Sequence, residues 1–164
     1  MKFLFNGLMV AVLSLSTSVV YAEQTTSTAS LAQSQQALID LFFAAARTGN
    51  QDVMSEFLKY GFPVNQKNHA GFTGLMIASY YGHQDVVTLL LIHGADRCLR
   101  DHKGNTALMG AIFKLEWSIA NQLRQVDCDV QAKQTGQKTV REFAKVIGQE
   151  QQLEKWIETE SQQK

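Results

Sequence analysis

Between Asn68 and Arg100 the apolar positions fall into two short groups with a glycine between them. Leu75, Ile77 and Ala78 form the first group, compatible with a short helix packed against its neighbours. Val86, Leu89, Leu90 and Ile92 form the second, at the spacing of one helix face. Gly82 breaks the chain between them. His93-Gly94 ends the second helix, with Gly in the left-handed position favoured after a helix. Ahead of the first helix, Gly71 supplies the permissive backbone of a turn, and Thr73 can cap the free amides of the next residues. Neither helix is long enough to hold itself in water, so each such unit needs like neighbours to cover its apolar sides.

Those neighbours are present. Sliding the unit by 33 residues aligns Thr73 with Thr106 and Thr139, and Ala78 with Ala45, Ala111 and Ala144. Gly82 meets Gly49 and Gly148, Gly94 meets Gly61, Gly71 meets Gly104, and Asp85-Val86 meets Asp52-Val53. Several residue types recurring at one spacing predict a stack of structural repeats with a continuous core and collective stability.

The stretches Gly71-Phe72-Thr73-Gly74-Leu75-Met76-Ile77-Ala78 and Gly94-Ala95-Asp96, with Gly104-Asn105-Thr106-Ala107-Leu108-Met109-Gly110-Ala111, resemble the ankyrin-repeat family. That family's unit carries G-x-T-P-L-H-x-A near its start and G-A-D near its end. The resemblance covers about residues 37–160. It implies an all-α solenoid of about four helix-turn-helix repeats with hairpin-like finger loops, the repeats spanning about 37–67, 68–100, 101–133 and 134–160. The family's Pro is Gly74, Ala107 and Val140 here, and its His is Met76, Met109 and Glu142. Losing Pro frees the unfolded chain, at up to about 1 kcal/mol per site, so modest stability is expected. The end units diverge further, as capping units do.

The start of the chain has a different character. Lys2 is followed by an apolar stretch, Leu8 to Leu15, then small polar residues and Val20-Tyr21-Ala22, the pattern of a cleaved secretory signal over 1–22. Asn6, Gly7, Ser14, Ser16, Thr17 and Ser18 interrupt it too often for a spanning helix. Residues 23–36 are Gln, Ser, Thr and Ala with almost no large apolar residue and read as a flexible leader. The chain has 15 basic and 15 acidic residues. Loss of Lys2 with the signal would leave a near-neutral domain, which predicts neither nucleic-acid binding nor a membrane-coating surface. The expected location is the periplasm, and the expected state is a monomer.

Candidate chemistry is sparse. Secretion would place the two cysteines in an oxidising compartment. The resemblance puts Cys98 and Cys128 in the turn regions after adjacent units, where they could form a disulfide or remain two small buried thiols. Of the four histidines, His83 beside Gly82 and His93 beside Gly94 have structural positions. His69 and His102 stand 33 apart on neighbouring fingers, where exposed surface residues are expected rather than ligands of a metal or haem iron. Met76 and Met109 stack at the same interval and read as core. There is no nucleophile elbow, phosphate loop or dinucleotide pattern. No catalytic site, metal or cofactor is expected, and the chain reads as a binding module rather than an enzyme.

Members of the resembled family bind partners through finger tips and the exposed side of the first helices. Those positions hold Arg47, Thr48 and Lys67 in the first unit, and His69, Ala70, Phe72, Tyr80, Tyr81 and Arg100 in the second. The third offers His102, Lys103, Asn105, Phe113 and Lys114, with Lys133 after it. This set is aromatic and basic and contains no acid, which predicts an acidic protein partner. The stretch Gly104 to Lys114 also resembles small secreted bacterial ankyrin proteins, some associated with catalase. That implies a role in peroxide defence, such as haem supply or enzyme maturation. An immunity protein against a periplasm-acting toxin would use the same face.

Overall fold

The computed structural model describes residues 30–162, so the expected signal over 1–22 and the start of the leader lie outside the described residues. Residues 30–48 are helical (α1). Part of the stretch expected as an open leader is therefore helix, and its composition gives the reason. Ala32, Gln33, Gln35, Gln36 and Ala37 are good helix formers even though they offer little apolar surface. The chain divides into two compact units at Asp40. Of the first, residues 30–40 are described and are helical. The second, from Leu41 onward, contains the repeats.

Helices in this second unit come in pairs. The end of α1 pairs with α2 (Gln51–Lys59), α3 (Gly74–Tyr80) with α4 (Gln84–Ile92), and α5 (Ala107–Phe113) with α6 (Trp117–Leu123). After α7 (Asp129–Thr135) comes a fourth pair, α8 (Val140–Val146) and α9 (Glu150–Ser161). The second helices begin at Gln51, Gln84, Trp117 and Glu150, so the period of 33 seen in the sequence is the repeat of the structure. Among the described residues there is no strand, only an isolated antiparallel bridge between Lys67 and Thr73.

The expected caps form. Thr73, Thr106 and Thr139 each accept a hydrogen bond from the backbone N–H three residues on, satisfying one free amide of α3, α5 and α8. Ala45, Ala78, Ala111 and Ala144 are all buried, small enough to let neighbouring first helices approach closely. Val86, Val87, Leu90, Met109, Ile112, Ile119, Leu123 and Leu153 continue the core along the stack. The first pair is sealed by aromatic packing. Phe42 stacks on Phe62 at 4.5 Å between ring centroids and meets Phe57 edge-on at 5.6 Å.

Two of the three missing prolines have structural reasons. A side chain at Gly74 would bring its Cβ to 2.9 Å from Cε1 of Phe42, so the first unit's aromatic cluster occupies the space a Pro ring would need. At the fourth unit, the N–H of Val140 donates to both carboxylate oxygens of Asp129, at 3.0 and 3.1 Å, and a Pro there would have nothing to donate.

Two of the three connections between pairs are hairpin fingers. In the first, the side chain of Asn68 accepts from the N–H groups of Ala70 and Phe72. In the second, Asp101 accepts from Lys103 and Asn105 in the same way. Gly71 adopts φ 80° and an added Cβ would lie 2.9 Å from the backbone N of His102, so Gly is required both by conformation and by contact with the next finger. The third connection departs from this pattern. Gln134 stands where Asn68 and Asp101 stand, and its longer side chain does not close that turn. The chain instead forms α7, ended by Gly136 at φ 68°. Cys98 and Cys128 are joined in a disulfide with Cα atoms 5.2 Å apart. The bridge closes on both ends of the third pair, since Cys98 precedes α5 and Cys128 follows α6.

Candidate functional site

The inner side of the stack, formed by the first helices and the fingers, carries a groove of about 680 Å³. Its floor and walls come from consecutive units. Arg47 at the end of α1 borders one side. Phe72, Met76, Ile77, Tyr80 and Tyr81 come from the second unit, and Lys103, Asn105 and Phe113 from the third. Phe143 and Ile147 come from the fourth.

The repeat places the groove aromatics in columns. Residues 33 apart occupy equivalent sites, so Arg47, Tyr80, Phe113 and Val146 form one column, and Thr48, Tyr81, Lys114 and Ile147 the next. The rings of Tyr80 and Phe113 stack nearly parallel, with 14° between planes and 6.0 Å between centroids. Tyr81 lies edge-on to Tyr80 and stacks over His83. These rings remain substantially open to water: Tyr81 is 50% exposed, Phe113 44% and Phe72 37%. Large apolar side chains held against one another yet left in water are what an interface centre needs before its partner arrives.

Of the residues expected from sequence to bind a partner, Arg47, Ala70, Phe72, Tyr80, Tyr81, Lys103, Asn105 and Phe113 line the groove. Lys114 sits at its edge with Nζ 5.2 Å above the Tyr80 ring. The others have different surroundings. The ammonium of Lys67 donates to the carbonyl of Arg100 at 2.8 Å, tying the first finger to the second. Arg100 is half-buried and donates to the carbonyls of Gly104, at 2.6 Å, and Lys138, at 2.9 Å. Its charge serves to tie the second finger to the chain entering the fourth unit. His69 is exposed on the first finger and His102 on the second, the latter against Gly71. Neither lines the groove. Among the described residues no cluster of His, Cys, Asp or Glu could hold a metal ion.

The balance of the surface therefore shifts. Of the cations in the expected basic face, only Arg47 and Lys103 border the groove. Lys133 lies with Lys138 beside a separate open hollow near α7. One acid, Asp101, does line the groove, but it is buried and its carboxylate is occupied by finger amides and the Asn105 side chain. The site is aromatic first and basic second. Phe143 and Ile147 were absent from the sequence-based set because the fourth unit diverges. The signal that could have found Ile147 is the column it shares with Tyr81 and Lys114.

A family model described as ankyrin repeats (3 copies) matches residues 41–134. The chain belongs to the ankyrin-repeat family. The matched span covers the first three helix pairs and ends within α7. The structure continues the ankyrin period one unit further, through the Thr139 cap and the start of α9 at Glu150. No curated protein matches the chain. Ankyrin-repeat proteins are in general binding modules without catalytic activity, and protein partners follow from membership. Among the described residues no helix is long and apolar enough to cross a membrane.

Proposed function

We propose that this chain is a periplasmic protein-binding module that takes a segment of its partner into the groove between Arg47 and Ile147. The observation that carries this reading is a groove lined by Phe72, Tyr80, Tyr81, Phe113, Phe143 and Ile147 from three successive units, with Tyr80 and Phe113 stacked yet left partly in water. Arg47 and Lys103 at its border, with Lys114 beside it, favour a partner with acidic residues flanking its apolar ones, steered by complementary charge. The location rests on the signal-like start of the sequence.

The test is capture of partners from periplasmic extract by the mature protein, compared with two variants. Tyr80→Ala/Phe113→Ala removes the ring stack, and Arg47→Glu/Lys103→Glu reverses the border charges. Arg100 is left intact because its guanidinium holds backbone carbonyls. One stoichiometric partner, lost with the first variant and weakened at moderate salt with the second, is the expected result. A catalase or a toxin as that partner would name the pathway. Equal capture by all three folded proteins would overturn the groove as the site.

A further inference from the structure

We propose that the Cys98–Cys128 disulfide is a redox latch on the groove: its reduction by a dithiol loosens the third and fourth units and takes half of the groove with them. The functional consequence rests on the groove reading above; the conformational one does not.

The placement of the bond carries the argument. Cys98 lies ahead of α5 and Cys128 behind α6, so the bridge encloses one whole helix pair. In a stack of units, stability is shared between neighbours, and a terminal unit has a neighbour on one side only. The fourth unit is the last one described, and it docks on the pair the disulfide closes. Its entry is the third connection, which lacks the finger network of Asn68 and Asp101. Three links hold this entry: the disulfide, the Asp129 carboxylate on Val140 N–H, and the Arg100 guanidinium on the Lys138 carbonyl. Only the first is covalent. Lys103 and Phe113 of the third unit, and Phe143 and Ile147 of the fourth, depend on this arrangement for their place in the groove.

The bond is also reachable. It joins two connecting segments outside the apolar core, and both cysteines are only partly buried. Cys128 lines an open cleft of about 350 Å³ together with Arg124 and Arg141, whereas Cys98 does not. One thiolate of a dithiol therefore attacks the sulfur of Cys128 and Cys98 leaves as thiolate; the second thiol, on losing its proton, attacks the reductant's own sulfur in the mixed disulfide and releases Cys128 as thiolate. Two electrons and two protons pass to the protein, giving two thiols, and the reductant leaves as its own disulfide.

The chain's two tryptophans, Trp117 and Trp156, lie in α6 and α9, so their fluorescence reports the third and fourth units alone. The experiment compares the oxidised full-length mature protein, the same protein after dithiothreitol, and a Cys98→Ser/Cys128→Ser variant, by tryptophan fluorescence in urea and by hydrogen exchange. Reduction under native conditions is expected to speed exchange at least tenfold over 101–161, with little change over 51–92. Tryptophan unfolding should move to lower urea in both bridge-free proteins. Two outcomes would overturn the latch: a bond that resists dithiothreitol until the whole domain unfolds, which makes it a permanent brace, or reduction that leaves exchange over 101–161 unchanged.

Discussion

Leu115 occupies the turn position held by Gly49, Gly82 and Gly148 in the other units, and it adopts φ 62°. A side chain in the left-handed region costs about 1–2 kcal/mol, partly offset by the greater freedom a Gly would have in the unfolded chain. Leu115 is half-exposed and gives back little by burial. Leu115→Gly should therefore stabilise the domain by about 0.5–1 kcal/mol, read as a higher midpoint in urea. Gly74→Ala should do the reverse, because its new Cβ meets the Phe42 ring. Glu142 offers a pH-dependent counterpart. Its carboxylate accepts from the backbone N–H of Thr139 and, secondarily, from the Thr139 hydroxyl, with Lys133 adding a smaller attraction; these hold its pKa below the ordinary glutamate value. A depressed pKa means a contribution present above the unfolded value and lost as pH falls through the folded one. Stability curves of wild type and Glu142→Gln should run apart at neutral pH and converge as acid takes the pH below the ordinary glutamate range.

At the scale of elements, the second helices show how one unit is fastened to the previous one. His83, at the start of α4, places Nε2 2.7 Å from the carbonyl of Arg47, and Gln149, ahead of α9, donates to the carbonyl of Phe113. Glu116 is the equivalent residue ahead of α6. Its carboxylate can only accept, and it lies against Gly82, where an added Cβ would sit 2.7 Å from Oε1. Glu116→Gln would provide the donor that the other two junctions have, directed at the carbonyl of Tyr80. The expected gain is about 1 kcal/mol, the usual net value of such a bond. A double-mutant comparison with His83→Ala would show whether the two junctions act independently. The fingers differ from the helices in what organises them. A short polar side chain at Asn68 and Asp101 closes each turn, and where Gln134 replaces it the chain coils into α7.

For the whole molecule, the period matters more than any single contact. The core runs unbroken from Phe42 to Leu153, and each helix from α2 to α9 is too short to stand alone. Truncation after Gln134, where the family match ends, would strip α8 and α9 from α5 and α6. It would uncover buried side chains of the third unit and remove Phe143 and Ile147 from the groove. A truncated chain should unfold at markedly lower urea with a shallower transition, which circular dichroism would record.

The repeat, the helix pairs, the threonine caps and most of the groove aromatics were legible along the chain, since a period of 33 forces equivalent residues into equivalent places. Columns such as Tyr80 with Phe113 follow from spacing alone. The roles of Arg100 and Lys67 did not follow, because a cation looks the same in sequence whether it faces a partner or a backbone carbonyl. The absence of Pro at position 74 also reads differently once the Phe42 ring is seen to fill its space. Sequence by itself determined the architecture, through local propensity and a pattern of burial repeated unit by unit. Tertiary structure decided which charges remain free, which cysteines meet and where the groove ends. Those depend on distances between residues that lie about one repeat apart, and only the packing of one unit on the next sets such distances.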